Sequence, residues 1–300
     1  MRQYDALIIG GGPGGASCAV WLARLGFSPL LIESAGRLGG LERSNPFQDN
    51  WIAVLPGMTG QQVASNIERS VADACVETRL DARVRSVRRQ GGGFAAQYTS
   101  TTMSENGGCE EVYGKTLVIA SGVGARPLPG QASGEHFPGV LIGPGVHITE
   151  QDFKHKSVAI LGGGDNAFEN YSYVRDRGAA EVHLYARSVR AQAQWVDRAR
   201  TVDVRVGPFA VEPAERRING RHYDLVLVFY GWEPHAPFAD ALTLSRDDKG
   251  FFTTNSHTAE TSVSGVYAIG EVARRSHPCV VTALADGVVA AKAIQSRLEG

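Results

Sequence analysis

Tyr4-Asp5-Ala6-Leu7-Ile8-Ile9-Gly10-Gly11-Gly12-Pro13-Gly14-Gly15 is the stretch that decides the fold. Tyr4 to Ile9 reads as a short apolar strand, the glycines as a turn, and Ala16 to Leu25 as a helix. Gly10, Gly12 and Gly15 form GxGxxG, with Pro13 and Gly14 completing the turn. In a strand-turn-helix the first glycine permits the tight turn and the second lets a pyrophosphate approach the backbone. The third lets helix pack closely on strand, and the phosphate sits at the helix N-terminus. A second predicted strand, Pro29 to Ile32, ends at Glu33 and Ser34, where a carboxylate is placed to accept hydrogen bonds from an adenosine ribose.

The same grammar returns in the second half of the chain. Ser157 to Leu161 is a predicted strand, Gly162-Gly163-Gly164-Asp165-Asn166-Ala167 the turn, Phe168 to Arg177 helical and Glu181 to Tyr185 the next strand. Gly162, Gly164 and Ala167 make GxGxxA. Counting 21 residues from Gly12 reaches Glu33, whereas the same count from Gly164 reaches Tyr185, so the ribose acid is missing. Arg187 and Arg190 follow instead. Loss of the acid removes repulsion of a 2′-phosphate, and a guanidinium binds that phosphate in a forked geometry, so NADPH is expected over NADH. Ser188 interrupts the basic pair, and the competing reading is that both arginines are solvated surface charge.

Working outward, 300 residues exceed the usual size of one hydrophobic core, which favours two domains. The 30 basic and 31 acidic side chains nearly cancel, so no nucleic acid or anionic membrane is expected as partner. Glycine, at 36 residues, is well above the roughly 7 % average without a repeating period, so the glycines are positional. Cys18, Cys75, Cys109 and Cys279 are scattered, with neither CxxC nor metal-ligand spacing. No disulfide framework and no metal are expected. The apolar run Ala6 to Ile9 is too short for a secretory segment and no run is long enough to span a bilayer, so a cytoplasmic location is expected.

Further pieces are of the kind that would complete a flavin site. Leu117 to Gly122 is an apolar strand ending in Ala120, Ser121 and Gly122, small residues that allow a nucleotide close approach. Gly265 to Glu271 is another, ending in Gly270 and an acid. A helix is predicted to begin near Pro278, taking in Cys279 and Val280 and running through Ala283, Ala290 and Ile294. Its N-terminal dipole is suited to the anionic edge of a reduced isoalloxazine.

In this order the motifs resemble the low-molecular-weight thioredoxin reductases along nearly the whole chain. Gly10 to Gly15 with Glu33 resembles the family's FAD adenosine site. Gly39-Gly40-Leu41, Asn50-Trp51, Pro56-Gly57 and Thr59-Gly60 resemble its second flavin-contacting stretch, although Ile52 to Leu55 separate Trp51 from Pro56 where the family runs unbroken. Arg83 and Val84 fall where the family's strand touches adenine, and Ala120-Ser121-Gly122 stands at its Ala-Thr-Gly. Trp51 is read either as stacking near the flavin or as a core residue. The resemblance implies two Rossmann-like, three-layer ββα dinucleotide-binding domains: FAD-binding over 1–122 and 241–300, NAD(P)H-binding over 123–240. It also implies a homodimer and irregular crossings at Gly122 to Gly130 and Gly231 to Pro237 that act as hinges.

Two departures bear on function. Gly143-Pro144-Gly145-Val146 stands where the family carries its redox CxxC, so no dithiol forms there. Glu271 stands where an Asp holds a ribityl hydroxyl. The expected activity is therefore FAD-dependent transfer of electrons from NADPH to an unidentified external acceptor, by positioning rather than by acid-base groups. His147, just after the lost CxxC, is a candidate proton donor, with a surface histidine as the plainer reading. Cys279 is a candidate thiol at the helix start, or merely a small side chain. Three readings stay open: a reductase of a carrier such as ferredoxin or flavodoxin, a reductase of a small disulfide or another small oxidant with Cys279 as candidate thiol, and a flavin-binding sensor or partner protein without turnover.

Overall fold

The computed structural model describes residues 3–100, 108–132 and 134–300. Tracing the chain, β1 (Gln3–Ile9) leads into α1 (Pro13–Arg24) and β2 (Pro29–Ile32). After a 3-10 turn, Gly40–Ser44, come α2 (Gly60–Asp73), β3 (Glu77–Arg79), β4 (Ala82–Gln90), β5 (Gly93–Ser100) and β6 (Cys109–Ile119). β7 (Val123–Ala125) carries the chain into a second compact unit, 125–232. There β8 (Val140–Ile142), α3 (Val146–Thr149), β9 (Ser157–Leu161), α4 (Asp165–Asp176), β10 (Glu181–Ala186), α5 (Ala193–Val196) and β11 (Val204–Val206) follow. The antiparallel β12 (Val211–Glu212), β13 (Arg217–Ile218) and β14 (Arg221–His222) precede β15 (Leu225–Val228). β16 (Trp232–Pro234) returns to the first unit, which ends with β17 (Val266–Ala268) and α6 (Val280–Glu299).

The first unit has a seven-stranded sheet in the order β3-β2-β1-β6-β5-β4, with β17 alongside β6. Alternation along β1 explains its three layers, since successive side chains of a strand point to opposite faces. Ala6 and Ile8 join Ala16, Ala19, Leu22 and Ile294 under the helices, while Leu7 and Ile9 pack with Phe94 and Tyr98 under the β4-β5 arm. The second unit repeats the plan around the parallel sheet β11-β10-β9-β15-β8. Val158 and Ile160 face Phe168 and Tyr171 of α4, and Ala159 and Leu161 face Ile218 and Tyr223.

Several boundaries differ from the sequence reading. The chain re-enters the first unit at Glu233, ahead of 241, because Ala236, Ala239 and Leu242 of the Pro237–Leu242 segment share the core of Phe94 and Tyr98. β6 stops at Ile119, and β17 is only Val266–Ala268 before a 3-10 turn, Gly270–Val272. Both crossings contain short strands. α6 starts at Val280 with Cys279 as its N-cap, so Pro278 precedes the helix instead of opening it. α2 escaped the sequence reading, although Thr59-Gly60-Gln61-Gln62 is a capping box: Thr59 Oγ1 accepts the Gln62 amide and Gln62 Oε1 accepts the Thr59 amide.

Candidate functional site

Among the described residues, four helices longer than two turns divide by how they begin. α2 is sealed by its capping box, whereas α1, α4 and α6 start at Gly12, Gly164 and Cys279 with no side chain capping them. A helix leaves its first N–H groups without an intrahelical partner, and these three leave them open to a ligand.

In the first unit the glycines are fixed by close approach. A Cβ at Gly10, whose φ is +108°, would lie 2.3 Å from Ala120 O, and one at Gly15 would lie 1.9 Å from Gly10 O. At Gly12 a Cβ would meet only Gly40 Cα, at 3.7 Å, so that side of the turn is open. Gly11 donates its amide to Glu33 Oε2 at 2.7 Å, and Glu33 Oε1 accepts the Ala35 amide at 2.8 Å and the Ser34 hydroxyl at 3.1 Å. The acid is thus aimed by its own loop, with lone pairs left over for further hydroxyl donors. Next to Gly10, the buried Ser121 Oγ has no hydrogen-bond partner. A cradle that side chains would fill, an open helix N-terminus, an aimed acid and an orphaned buried hydroxyl fit a dinucleotide.

The rest of this site converges on the same end of the sheet. Gly39 donates its amide to Gly11 O, and a Cβ at Gly40 would lie 2.9 Å from Gly12 Cα, which brings the Gly39-Gly40-Leu41 stretch onto the turn. Gly14 approaches Ala283 of α6, and a Cβ at Gly287 would lie 2.6 Å from Gly14 O, so α1 and α6 cross through small residues. Cys279 is half-buried, its Sγ 3.4 Å from Thr282 Oγ1. Burial raises the Glu271 carboxyl above its ordinary range, against the opposing charge of Arg274. Glu42, which the sequence reading missed, is raised by burial and by Asp49, with Glu271 adding to the effect. Trp51 is 71 % exposed, which removes the core reading; its neighbour Ile52, 5 % exposed, is the residue of this loop that packs with Ile8 and Val63. Arg83 is exposed and Val84 half-buried near the start of β4, beside an irregularity in its pairing with β5.

The second unit carries its own turn. A Cβ at Gly162 would lie 2.5 Å from Phe229 O, while Gly164 faces open space and Ala167 is fully buried. The strand register corrects the count from the glycines. Ile9 pairs with Ile32 and Leu161 with Tyr185, and Gly10 and Gly162 donate to the carbonyls of Ile32 and Tyr185 respectively. The counterpart of Glu33 is therefore Ala186, because this unit holds one more residue between turn and second strand. Tyr185 lies inside β10, its hydroxyl 2.7 Å from that of buried Tyr223. Arg187 and Arg190 are exposed on the loop beyond. That loop is pinned to the turn: Arg190 and Ala191 donate amides to Gly163 O, and Asp165 accepts both the amide and the side-chain Nε2 of Gln192. Asp165 thus holds the arginine-bearing loop, while Asn166 Oδ1 and Nδ2 stay uncommitted and its carbonyl accepts the Asn170 amide group. His147 is exposed on α3, next to the Gly143–Gly145 turn.

A family model for pyridine nucleotide-disulphide oxidoreductases matches residues 4–287. The chain belongs to the pyridine nucleotide-disulphide oxidoreductases. Among similar proteins, the glucosaminate ammonia-lyase of Pseudomonas fluorescens is 26 % identical over 326 residues, covering 100 % of this chain and 97 % of the relative. The thioredoxin reductase of Bacillus subtilis is 25 % identical over 334 residues, covering 99 % and 96 %. The chain shares its fold with the thioredoxin reductase of T. acidophilum, at a TM-score of 0.79, 21 % identity and full coverage of both chains. A bacillithiol disulfide reductase of Bacillus cereus gives 0.81 at 19 % identity, covering 99 % of this chain and 100 % of the other. Thioredoxin reductase-like members of this oxidoreductase family bind FAD and use NADPH. This member keeps all four cysteines free, on four separate segments, and burial pushes the Cys18 thiol up to about 12. Among the described residues there is no cluster of three or more His, Cys, Asp or Glu able to hold a metal, and no helix long and apolar enough to cross a membrane.

Proposed function

We propose that the chain is an FAD-dependent NAD(P)H oxidoreductase that draws electrons from NADPH and delivers them to an external acceptor without a dithiol of its own. The observation that carries this reading is the pairing of two uncapped glycine turns of opposite electrostatic character. One faces Glu33, suited to a ribose with free hydroxyls, and the other precedes Ala186-Arg187, suited to a ribose bearing phosphate. FAD, where bound, would supply the redox chemistry, as acceptor of a hydride from reduced nicotinamide and donor of electrons onward. The protein's part is to bind and orient. Gly10, Gly12 and the α1 N-terminus take the pyrophosphate, Ser121 Oγ finds its missing partner, and Gly270, Glu271 and the α6 N-terminus take the flavin end. In the second unit Gly162, Gly164, Asn166 and Ala167 shape the nicotinamide dinucleotide site, and Arg187 and Arg190 face the phosphate.

Anaerobic titration of the purified protein tests this. About one equivalent of NADPH is expected to bleach the oxidised flavin absorption, with NADH needed at much higher concentration. Bound FAD that neither nucleotide bleaches would overturn the reductase and leave a flavin-binding sensor.

A second reading, reduction of a small disulfide, is favoured by the place of Cys279 at the N-cap of the twenty-residue α6 beside His277 and Glu271. Replacement Cys279→Ser separates the two. Electron transfer straight from flavin predicts unchanged acceptor turnover in steady-state assays, whereas a thiol route predicts a loss of at least a hundredfold with flavin bleaching intact.

A further inference from the structure

Within the first unit Arg275 and Asp286 form an ion pair almost closed to water. Their side chains are 9 % and 11 % exposed, and Arg275 Nε lies 3.1 Å from Asp286 Oδ1. The other polar atoms are committed as well. Asp286 Oδ2 accepts the amide of Gly270 at 3.1 Å, while Arg275 Nη1 and Nη2 donate to the carbonyls of Asn255 and Ser256 at 3.1 and 2.6 Å.

Four segments therefore meet at one pair. α6 brings Asp286, the turn after β17 brings Gly270, the loop before α6 brings Arg275, and the 255–258 turn brings two carbonyls. That last turn is itself stiff, since Asn255 Oδ1 accepts the amides of His257 and Thr258. It is anchored to β17 through the Ala268 amide on Ala259 O and the Glu260–Tyr267 bridge. Gly270 sits at φ +69°, the left-handed region, and the hydrogen bond from its amide to Asp286 Oδ2 holds it there. A cavity of about 10 Å³, room for one water, lies between this turn and α6, with both members of the pair among its lining residues.

A buried ion pair is a poor way to add stability, because desolvation offsets the attraction and apolar side chains fill the same space as well. What a guanidinium adds is direction. Its planar fork holds several acceptors at fixed angles, which an ammonium or an aliphatic chain does not. Here the acceptors belong to the segments that flank Gly270, Glu271 and the α6 N-terminus.

We propose that Arg275 and Asp286 are a positioning pair for the flavin, fixing the spacing between the Gly270-Glu271 turn and the start of α6 so that both engage the cofactor together. The pair acts through Gly270 and not by contact. This rests on the flavin reading given above.

The test follows FAD release from the purified holoprotein on dilution, by the rise in free-flavin fluorescence, together with the visible flavin spectrum and thermal melting. Asp286→Asn keeps the shape and removes the charge, and Arg275→Lys keeps the charge and removes the fork. Ile294→Ala, in the fully buried core face of α6 but outside the pair, controls for general loosening. Both pair variants are expected to release FAD at least tenfold faster and to shift the visible bands, while Ile294→Ala melts earlier with wild-type release and spectrum. Wild-type release and spectrum in the pair variants, or equal changes in Ile294→Ala, would overturn the proposal. A wild-type protein that takes up no FAD overturns the flavin reading itself, and the pair's role with it.

Discussion

Gly15→Ala is expected to purify with less than about one tenth of the wild-type flavin and to melt earlier. The added methyl would lie 1.9 Å from Gly10 O and 3.1 Å from Ala120 Cβ. The nearest obstacle is backbone, so no rotamer change relieves it. Overpacking of this kind costs about 1–3 kcal/mol and sometimes more, and relief requires α1 to move off β1. α1 has little freedom to do so, because Ser17 Oγ donates to Leu284 O and Gly287 packs against Gly14 O and the Cys18 amide. Any movement that does occur tilts the open N–H groups of Gly12, Gly14 and Gly15 away from the phosphate. Gly12→Ala makes the contrasting case. Its methyl meets only Gly40 Cα at 3.7 Å, so the melting temperature is expected to stay near wild type while the methyl fills the phosphate's approach and flavin is lost. Absorbance ratios and melting curves on the two variants check both halves. A yellow, stable Gly15→Ala would mean that the third glycine of the turn is not needed for close packing.

The contrast between these glycines was legible before any coordinates, because a turn of fixed shape leaves a fixed spacing in the chain. So were the strands that feed the turns, since Ala6 to Ile9 and Val158 to Leu161 are apolar on both faces and fully or nearly buried. The counterpart of Glu33 was not. A count along the chain assumes equal helices and loops, and one extra residue between Gly164 and β10 moved the position from Tyr185 to Ala186; only strand pairing reveals that. The Arg275–Asp286 pair was hidden for another reason. Its meaning comes from Asn255, Ser256 and Gly270, contacts that no local period encodes. Trp51 shows the limit of composition, for an aromatic residue usually signals a core and this one stands outside it. Thr59 to Gln62, by contrast, carry the helix signal of α2 openly, as a capping box of adjacent residues.

The register at Ala186 leads to the second large effect. In the first unit Gly11 gives its amide to Glu33, and a Cβ at Gly11 would lie 3.3 Å from Glu33 Cβ. In the second, a Cβ at Gly163 would lie 3.2 Å from Ala186 Cβ, so the spacing of turn and acid position is the same, although Ser188 O replaces the Leu38 side chain as the nearest neighbour of the glycine. A carboxylate grown from Ala186 is therefore expected to find the Gly163 amide as Glu33 finds that of Gly11, and to offer its free lone pairs to ribose hydroxyls. The same charge repels a 2′-phosphate, and removing the adjacent Arg187 withdraws the phosphate's partner. Ala186→Glu with Arg187→Ala is expected to invert the preference for NADPH over NADH. Each substitution contributes on the order of tenfold, or about 1.4 kcal/mol, so the ratio of the two concentrations that half-bleach the flavin moves by about a hundredfold. Arg187→Ala alone decides between the two readings of that side chain. A tenfold rise in the NADPH requirement with the NADH requirement unchanged places the guanidinium on the phosphate. An unchanged ratio makes Arg187 a solvated surface charge and leaves Arg190, held against the turn by its amide on Gly163 O, as the residue that discriminates.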